Sequence, residues 1–169
     1  MNIVIPMAGL GCRFSQSGFS LPKPLIPIIE KPMYQYAVDC LPLQLATKVI
    51  FILLASEYSS KIEEDIRNNY YYLSDYSIVT LEKETQGQAE TILKAKDFFN
   101  LNVPTLIHNC DTFIEEEFHW SRLLKEDIDG AIILFKSNEE RWSYAKLDET
   151  NKYVVEFKEK KVISTYAST

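Results

Sequence analysis

The sequence has few of the features that mark secreted, membrane-spanning or zinc-binding proteins. Its three cysteines (Cys12, Cys40 and Cys110) are an odd number without Cys-x-x-Cys spacing, and it has only two histidines. This argues against a disulfide framework or a zinc site and predicts free thiols in a reducing compartment. No apolar run is long enough to cross a bilayer, and the start lacks the basic region of a signal peptide. We therefore expect a cytoplasmic protein without a membrane partner.

Basic residues are also in deficit. The chain has 18 Lys and Arg against 24 Asp and Glu, a net charge of −6. This balance argues against binding to nucleic acids or anionic membrane surfaces. Residues 1–29, however, contain Arg13 and Lys23 and no acidic residue. Such a cationic segment is suited to holding an anion, although a stretch this short can also lack acids by chance.

Glycine is scarce, and its distribution is uneven. Of the five glycines, Gly9, Gly11 and Gly18 stand near the start. Their concentration indicates either a loop shaped around a ligand or a turn-rich surface loop. A dinucleotide-binding fingerprint would need a third glycine where Phe14 stands, followed directly by a helix. Three prolines between residues 22 and 27 argue against that helix, and the phosphate-binding sequence G-x-x-x-x-G-K-[ST] is absent.

Apolar runs of strand length alternate with segments of helical spacing along most of the chain. Strands are expected at residues 2–6, 49–55, 78–81, 103–107 and 131–135. A loop is expected from the end of the first strand to about residue 30. Helices are expected after Pro32 and after Ser56. A third helix of about a dozen residues is expected after Gly87, and its side chains predicted to point inward are Ala89, Ile92, Leu93 and Phe99. Residues 144–147 and 153–157 predict a hairpin.

This alternation predicts an α/β fold: one three-layer domain over residues 1–169, with a mainly parallel central sheet and a β-rich C-terminal portion. Ligands of such sheets gather at the carboxyl ends of the strands. Three segments are expected there, and they keep these names below: the glycine loop (residues 8–13), the Gln-Gly-Gln turn (residues 86–88) and the Asn-Cys-Asp segment (residues 109–111).

The glycine loop offers backbone N–H groups, and Arg13 and Lys23 could meet phosphate charge beside it. Taken alone, Lys23 is better interpreted as a solvated surface side chain, as single lysines usually are. Asp111 could hold a metal or cap a helix, and its place after a buried strand favours the metal.

Five segments together resemble a known family. Residues 8–14 (Ala-Gly-Leu-Gly-Cys-Arg-Phe) and 22–26 (Pro-Lys-Pro-Leu-Ile) resemble the opening signature of the sugar-phosphate nucleotidyltransferases. Residues 86–90, 109–111 and 159–160 follow in the family's order, so the resemblance covers nearly the whole chain. It implies a Rossmann-like nucleotide-diphosphosugar transferase fold.

On the nucleotide side, the resemblance implies main-chain contacts and catalytic cations. Ala8, Gly9 and Gly11 would line the nucleotide with main-chain groups. Arg13 would contact the triphosphate, and Lys23 would neutralise charge near the α-phosphate as the reaction proceeds. Ala8, Gly9, Gly11 and Arg13 would thus bind the nucleoside triphosphate (NTP), and Arg13 and Lys23 would be the catalytic residues.

The resemblance also implies which residues contact the base and which residue binds the metal. Gln86 and Gly87 would touch the base, and Asp111 would hold Mg²⁺. Magnesium prefers oxygen ligands and usually keeps several waters, so one or two carboxylates suffice. Cys12 stands where the family usually has Ser or Thr, which removes a hydroxyl that could bond the nucleotide.

A second substrate, a phosphorylated small molecule, would contact the C-terminal part of the chain. Glu159 and Lys160 would face this acceptor, with Lys160 near its phosphate, and Tyr144 stands where the family often has a Tyr-Gly pair beside the sugar. The alternative for Glu159 and Lys160 is a solvated face, because they lie in a charge run from Lys158 to Lys161.

The expected reaction is transfer of a nucleoside monophosphate from an NTP to that acceptor with release of pyrophosphate. Sugar 1-phosphates feeding capsule or other surface polysaccharide biosynthesis are the first expectation. An opening with Ile-Pro-Met leaves open a cytidylyltransferase for phosphocholine or a phospho-amino acid, and slightly favours a pyrimidine nucleotide. A dehydrogenase is disfavoured by Phe14 and the prolines.

Family members normally continue beyond a point equivalent to residue 169, and the later region supplies a second metal-binding carboxylate. The chain is therefore expected to lack the usual C-terminal part. A truncated, non-catalytic nucleotide-binding module is the alternative of a different class. An exposed strand edge could also favour a homo-oligomer.

Overall fold

A computed structural model describes residues 1–115, 119–124 and 128–169. These residues form two compact units, Met1–Leu124 and Lys125–Thr169. The expectation of one domain over residues 1–169 stays a prediction.

The described residues of the first unit form six strands and five helices. The strands are β1 (Asn2–Met7), β2 (Pro27–Ile28), β3 (Lys31–Pro32), β4 (Lys48–Leu54), β5 (Tyr76–Leu81) and β6 (Thr105–Ile107). The helices are α1 (Cys12–Gln16), α2 (Met33–Asp39), α3 (Ser59–Asn69), α4 (Gln88–Lys94) and α5 (Trp120–Leu123). Short 3-10 turns lie at Lys23–Leu25, Leu43–Leu45 and Lys96–Phe98.

Four strands form the central parallel sheet in the order β5-β4-β1-β6, while β2 and β3 pair as a separate hairpin. Both faces of β1 and β4 are buried, which explains their continuous apolar sequences. On one face, Phe51 packs in a cluster with side chains from α2 and α3. On the other face, Ile50 and Ile52 pack with Ala95, at the end of α4. The predicted α/β class and parallel sheet are confirmed.

Two local predictions in this unit were wrong. The expected loop to about residue 30 contains the helix α1, which forms ahead of the prolines and ends before them. Helix α4 has seven residues in place of about twelve, and a 3-10 turn follows it. Its buried face carries Thr91, while Ala89 and Leu93, both predicted to point inward, are exposed.

The second unit is an antiparallel sheet. Its strands are β7 (Phe135–Lys136), β8 (Ser143–Leu147), β9 (Val154–Lys158) and β10 (Tyr166–Ser168), in the order β7-β10-β8-β9. The predicted hairpin is confirmed as β8 paired with β9. The Asp148 side chain holds its turn by accepting hydrogen bonds from Thr150, Lys152 and Tyr153, which lower the pKa of that carboxyl.

The strand expected at residues 131–135 was largely wrong. Only Phe135 and Lys136 form a strand, because these two find ladder partners in β10. Ile132 and Ile133 are 46% and 37% exposed and lie outside any ladder that the described residues form. Apolar sequence alone does not make a strand without a neighbour to pair with. In the part of the chain that the structure covers, no helix is long and apolar enough to cross a membrane.

Candidate functional site

The three segments expected to form the site follow parallel strands of one sheet. The glycine loop follows β1, the Gln-Gly-Gln turn begins five positions after the end of β5, and the Asn-Cys-Asp segment follows β6. Because these strands are parallel, their carboxyl ends lie at the same edge of the sheet. The fold therefore places the predicted nucleotide-binding and metal-binding segments of the first unit along one edge.

Gly11 is the residue of the glycine loop that must be a glycine. Its φ is +63°, a left-handed conformation, and its carbonyl accepts a hydrogen bond from Phe14 N–H at 2.8 Å in the first turn of α1. A Cβ added at Gly11 would lie 3.0 Å from the Cβ of Lys23. A Cβ at Gly9 would meet open space. The loop therefore packs its backbone against Lys23 at Gly11 and leaves room beside Gly9.

Arg13 is the last residue of the glycine loop and lies on the short helix α1, which begins within the loop at Cys12. Its side chain is exposed, and no ion pair joins it to a residue of the described ranges. Its guanidinium is therefore available for an anion at this edge. Cys12, at the first position of the same helix, is also exposed.

Lys23 and Asp111 are brought together as an ion pair between Nζ and Oδ2. The two side chains are 22% and 37% exposed, so the pair is open to solvent and to a ligand. Lys23 begins a 3-10 turn after Pro22, and the turn is closed by Leu25 N–H donating to the Pro22 carbonyl at 2.9 Å. Two residues assigned to the reaction from separate motifs thus share one site.

The segment that carries Asp111 is held in place by a hydrogen bond from the buried side chain of His108. This histidine is 7% exposed, and its Nε2 donates to the Thr112 carbonyl at 2.8 Å. Burial lowers the pKa of His108 and outweighs the opposing effects of that hydrogen bond and of Asp111. Burial also raises the pKa of the Cys110 thiol to about 11. Cys110 is therefore a protonated packing residue, and Asp111 is the exposed ionisable group of this segment.

The Gln-Gly-Gln turn is held by its own hydrogen bonds. Gln86 N–H donates to Glu90 Oε2 at 2.8 Å, and the Thr91 hydroxyl donates to the Gly87 carbonyl at 3.2 Å. The Thr91 hydroxyl also lies 2.5 Å from that of Thr85. The main-chain groups of the turn are therefore already positioned without a ligand.

A side-chain amide pair joins this turn to the Asn-Cys-Asp segment. Gln88 Nε2 donates to Asn109 Oδ1. The sequence analysis missed Gln88, Asn109 and Glu90 as site residues. For Glu90 a signal existed, since a glutamate in the first turn of a helix commonly accepts a hydrogen bond from a preceding N–H. For the amide pair no local signal exists, because its two members lie 21 positions apart.

The predicted acceptor residues all lie in the second unit, where Tyr144 is the ladder partner of Lys158, the residue before Glu159. Tyr144 is fully buried, and its hydroxyl donates to the Glu139 carbonyl at 2.9 Å. Glu159 and Lys160 follow β9, are 74% and 70% exposed, and pair with each other at 3.0 Å. Lys160 has a positive φ of 50°. Their role in binding an acceptor stays a prediction.

A cavity of about 410 Å³ lies beside the glycine loop. Gly9, Gly11 and Lys23 line one side, and Ser56 and Tyr58, which precede α3, line another. Its volume falls within the range of small-molecule sites. The cavity extends from the glycine loop toward the end of β4, and the Gln-Gly-Gln turn is not part of its lining.

The donor set at this edge fits magnesium better than a metal held in a closed protein cage. Asp111 offers carboxylate oxygens, and no group of three His, Cys, Asp or Glu residues that could hold a metal occurs in the described ranges. Mg²⁺ is commonly bound by one or two carboxylates together with substrate phosphates and waters. Asp111 could therefore hold a magnesium ion that also contacts a triphosphate.

Comparisons with known proteins agree with this geometry. A family model described as nucleotidyl transferase matches residues 3–169. The chain is similar to the UTP–glucose-1-phosphate uridylyltransferase of Escherichia coli K12, with 29% identity over 92 residues, 54% of this chain and 30% of that protein. It is also similar to the bifunctional protein GlmU of Thermodesulfovibrio yellowstonii, with 31% identity over 139 residues, 82% of this chain and 26% of that protein.

A solved structure gives the same result for the fold. The nucleoside-diphosphate-sugar pyrophosphorylase of Vibrio cholerae RC9 superposes with a TM-score of 0.80 at 25% identity, covering 98% of this chain and 70% of that one. The matches to the two curated relatives span less than a third of their length.

Proposed function

The chain belongs to the nucleotidyl transferase family, and from that premise we propose that it transfers a nucleoside monophosphate from an NTP to a phosphorylated small molecule. Pyrophosphate is the second product. The observation that carries this proposal is the Lys23–Asp111 ion pair beside Gly11. It sets a cation and a metal-competent carboxylate next to a glycine-lined cavity at the carboxyl edge of the sheet.

The proposed chemistry is a direct transfer between two anions. A phosphate oxygen of the acceptor forms a bond to the α-phosphorus while the bond between that phosphorus and the bridging oxygen breaks. The bridging oxygen leaves with its electron pair as part of pyrophosphate. No covalent intermediate with the protein is needed, and the acceptor phosphate is already an anion at neutral pH, so no general base is required.

The protein residues would offset repulsion and fix the geometry. Arg13 would pair with the triphosphate, and Lys23 would stay near the α-phosphate, where negative charge develops. Backbone N–H groups of the glycine loop would hold the phosphates at a fixed distance from Lys23. Magnesium, held by Asp111, would supply further neutralisation of the triphosphate charge.

We propose a sugar 1-phosphate as the acceptor and a pyrimidine NTP as the donor. The name of the Escherichia coli relative states UTP and glucose 1-phosphate as its substrates, which supports this pairing. Cytoplasmic supply of nucleotide sugars for capsule or other surface polysaccharides would be the corresponding role. Tyr144, Glu159 and Lys160 are the proposed acceptor contacts.

The test is pyrophosphate release with Mg²⁺, using CTP, UTP, dTTP, GTP and ATP against sugar 1-phosphates and phosphocholine. Lys23→Gln and Asp111→Asn are expected to lower the rate at least 100-fold, because each removes a charge from the reacting region. Lys96→Gln, which removes an exposed lysine of the 3-10 turn that follows α4, is the matched control and should keep the wild-type rate. Equal rates in all four proteins would overturn the proposed roles.

A second candidate is a nucleotide-binding module without transfer activity. Asp111 is the carboxylate of the site, and the described ranges hold no larger group of metal-ligating side chains. Nucleotide binding that Asp111→Asn weakens, without pyrophosphate release on any acceptor, would select this candidate. Release with one NTP and one acceptor would exclude it and identify both substrates.

A further inference from the structure

The Gln88–Asn109 amide pair joins two segments with different expected tasks: the family resemblance implies base contact for the Gln-Gly-Gln turn, and the proposed function gives metal binding to the Asn-Cys-Asp segment. Gln88 is the first residue of α4 and directly follows the two residues proposed to touch the base. Asn109 lies two positions before Asp111, the proposed metal ligand. We propose that this pair is a positioning element that couples base contact to the metal carboxylate, so that nucleotide and Mg²⁺ bind cooperatively. This inference rests on the proposed function.

Each of the two segments is internally fixed. The Gln-Gly-Gln turn is closed by Glu90 and Thr91, as described above. The Asn-Cys-Asp segment is closed by the buried His108, and Thr112 N–H donates to the Asn109 carbonyl at 3.3 Å. A displacement of one rigid segment can therefore pass to the other through the hydrogen bond between Gln88 and Asn109.

The contacts continue beyond Asn109 to the glycine loop. Asp111 pairs with Lys23, and the Lys23 Cβ lies against Gly11. Side-chain and backbone contacts thus run from the proposed base-contacting turn, through the metal carboxylate, to the proposed phosphate-binding loop. All three segments belong to the first unit. Removing the amide pair would leave the turn without its direct side-chain bond to the other two.

A purely structural role for the pair makes a different prediction. Gln88 is exposed and Asn109 half-buried, and because their bond lies at the surface both amides could bond to water instead, so their loss should leave the urea midpoint of unfolding close to that of the wild type. A positioning role should instead change the effect of Mg²⁺ on nucleotide affinity. The two roles are therefore separated by measuring stability and linked binding on the same variants.

The experiment is calorimetric measurement of the NTP dissociation constant in EDTA and in Mg²⁺. The proteins are the wild type, Gln88→Ala, Asn109→Ala, their double variant, and the exchanged pair Gln88→Asn with Asn109→Gln, which keeps one amide on each segment. Gln44→Ala, an exposed amide outside the site, is the matched control. The NTP is the one that gives the tightest binding to the wild type.

Allosteric coupling free energies typically correspond to changes in affinity of about 5-fold to 150-fold. We expect the enhancement of affinity by Mg²⁺ to fall at least 5-fold in each single variant, and no further in the double variant, because the pair acts as one unit. The exchanged pair should recover part of it. Unchanged enhancement in the single variants, or losses that simply add in the double variant, would overturn the inference.

The proposed function and this inference fail in distinguishable ways. If the wild type binds no NTP and releases no pyrophosphate, both are wrong. If the wild type binds NTP and Mg²⁺ enhances that binding through Asp111 but not through Gln88 and Asn109, only the inference is wrong. A wild type that binds NTP equally well with and without Mg²⁺ would also overturn the inference.

Discussion

Gly11 is where the backbone of the glycine loop meets the side chain of Lys23. Its positive φ, and the 3.0 Å that would separate an added Cβ from the Lys23 Cβ, are independent reasons for a residue without a side chain. Gly9 meets neither condition, although both glycines were assigned the same nucleotide-lining role from the sequence. The two positions therefore differ in what they contribute to the folded chain itself.

Gly11→Ala is expected to lower the free energy of unfolding by about 1–2 kcal/mol, the cost of a left-handed conformation for a residue with a Cβ. Gly9→Ala is expected to stay within about 0.5 kcal/mol of the wild type. Urea unfolding of both variants without ligand measures the difference. Equal effects at the two positions would contradict the assignment of strain to Gly11.

At the scale of elements, the β2–β3 hairpin carries an unusual turn. Pro27 pairs with Pro32 and Ile28 with Lys31, so that Ile29 and Glu30 form a two-residue connection. Ile29 has a φ of +57° and is 91% exposed. Turns of this length usually place glycine or asparagine where φ is positive. A β-branched residue is therefore held in a strained conformation at the tip, with little burial to offset it.

Ile29→Gly is expected to raise the free energy of unfolding by about 0.5–1 kcal/mol, because relief of the left-handed strain exceeds the backbone entropy that glycine loses on folding. Ile28→Gly, one position earlier and without a positive φ, is expected to lower it. Thermal and urea unfolding of the pair should therefore show opposite signs. A loss of stability in Ile29→Gly would show that the strain assignment is wrong.

At the scale of the whole molecule, the pH dependence of stability near neutrality depends on few groups. The chain has two histidines, and burial lowers the pKa of His108 below its ordinary value. The unfolded chain therefore takes up a proton at His108 at a higher pH than the folded chain does. The contribution of His108 to the free energy of unfolding is therefore fully present above about pH 6.5, the ordinary pKa of histidine. This contribution is lost as the pH falls below that value.

His108→Gln tests this dependence, because glutamine can still donate to the Thr112 carbonyl but does not titrate. The free energy of unfolding of the wild type should fall more steeply than that of the variant between pH 7.5 and 5. The difference between the two curves removes the contribution of the carboxylates, which both proteins share. Parallel curves would mean that His108 titrates alike in the folded and unfolded chains.

Much of the fold was determined by the sequence itself. Continuous apolar runs identified β1 and β4 because strands covered on both faces leave no position for polar side chains. The lengths of the elements and the pairing of the strands were harder to predict from the sequence, as the seven-residue α4 and the two-residue β7 show. Those features depend on which surfaces an element meets in the folded chain, and local spacing carries little information about that.

For the candidate site, the sequence determined which residues could act, since the glycine loop, Lys23 and Asp111 belong to motifs that are visible in the chain. Only the tertiary structure decided which of them meet. The pairs Lys23–Asp111 and Gln88–Asn109 form because parallel strands bring the ends of distant segments to one edge of the sheet. The order of the strands in the sheet is set by the burial of entire strands and helices, and no short stretch of sequence encodes it.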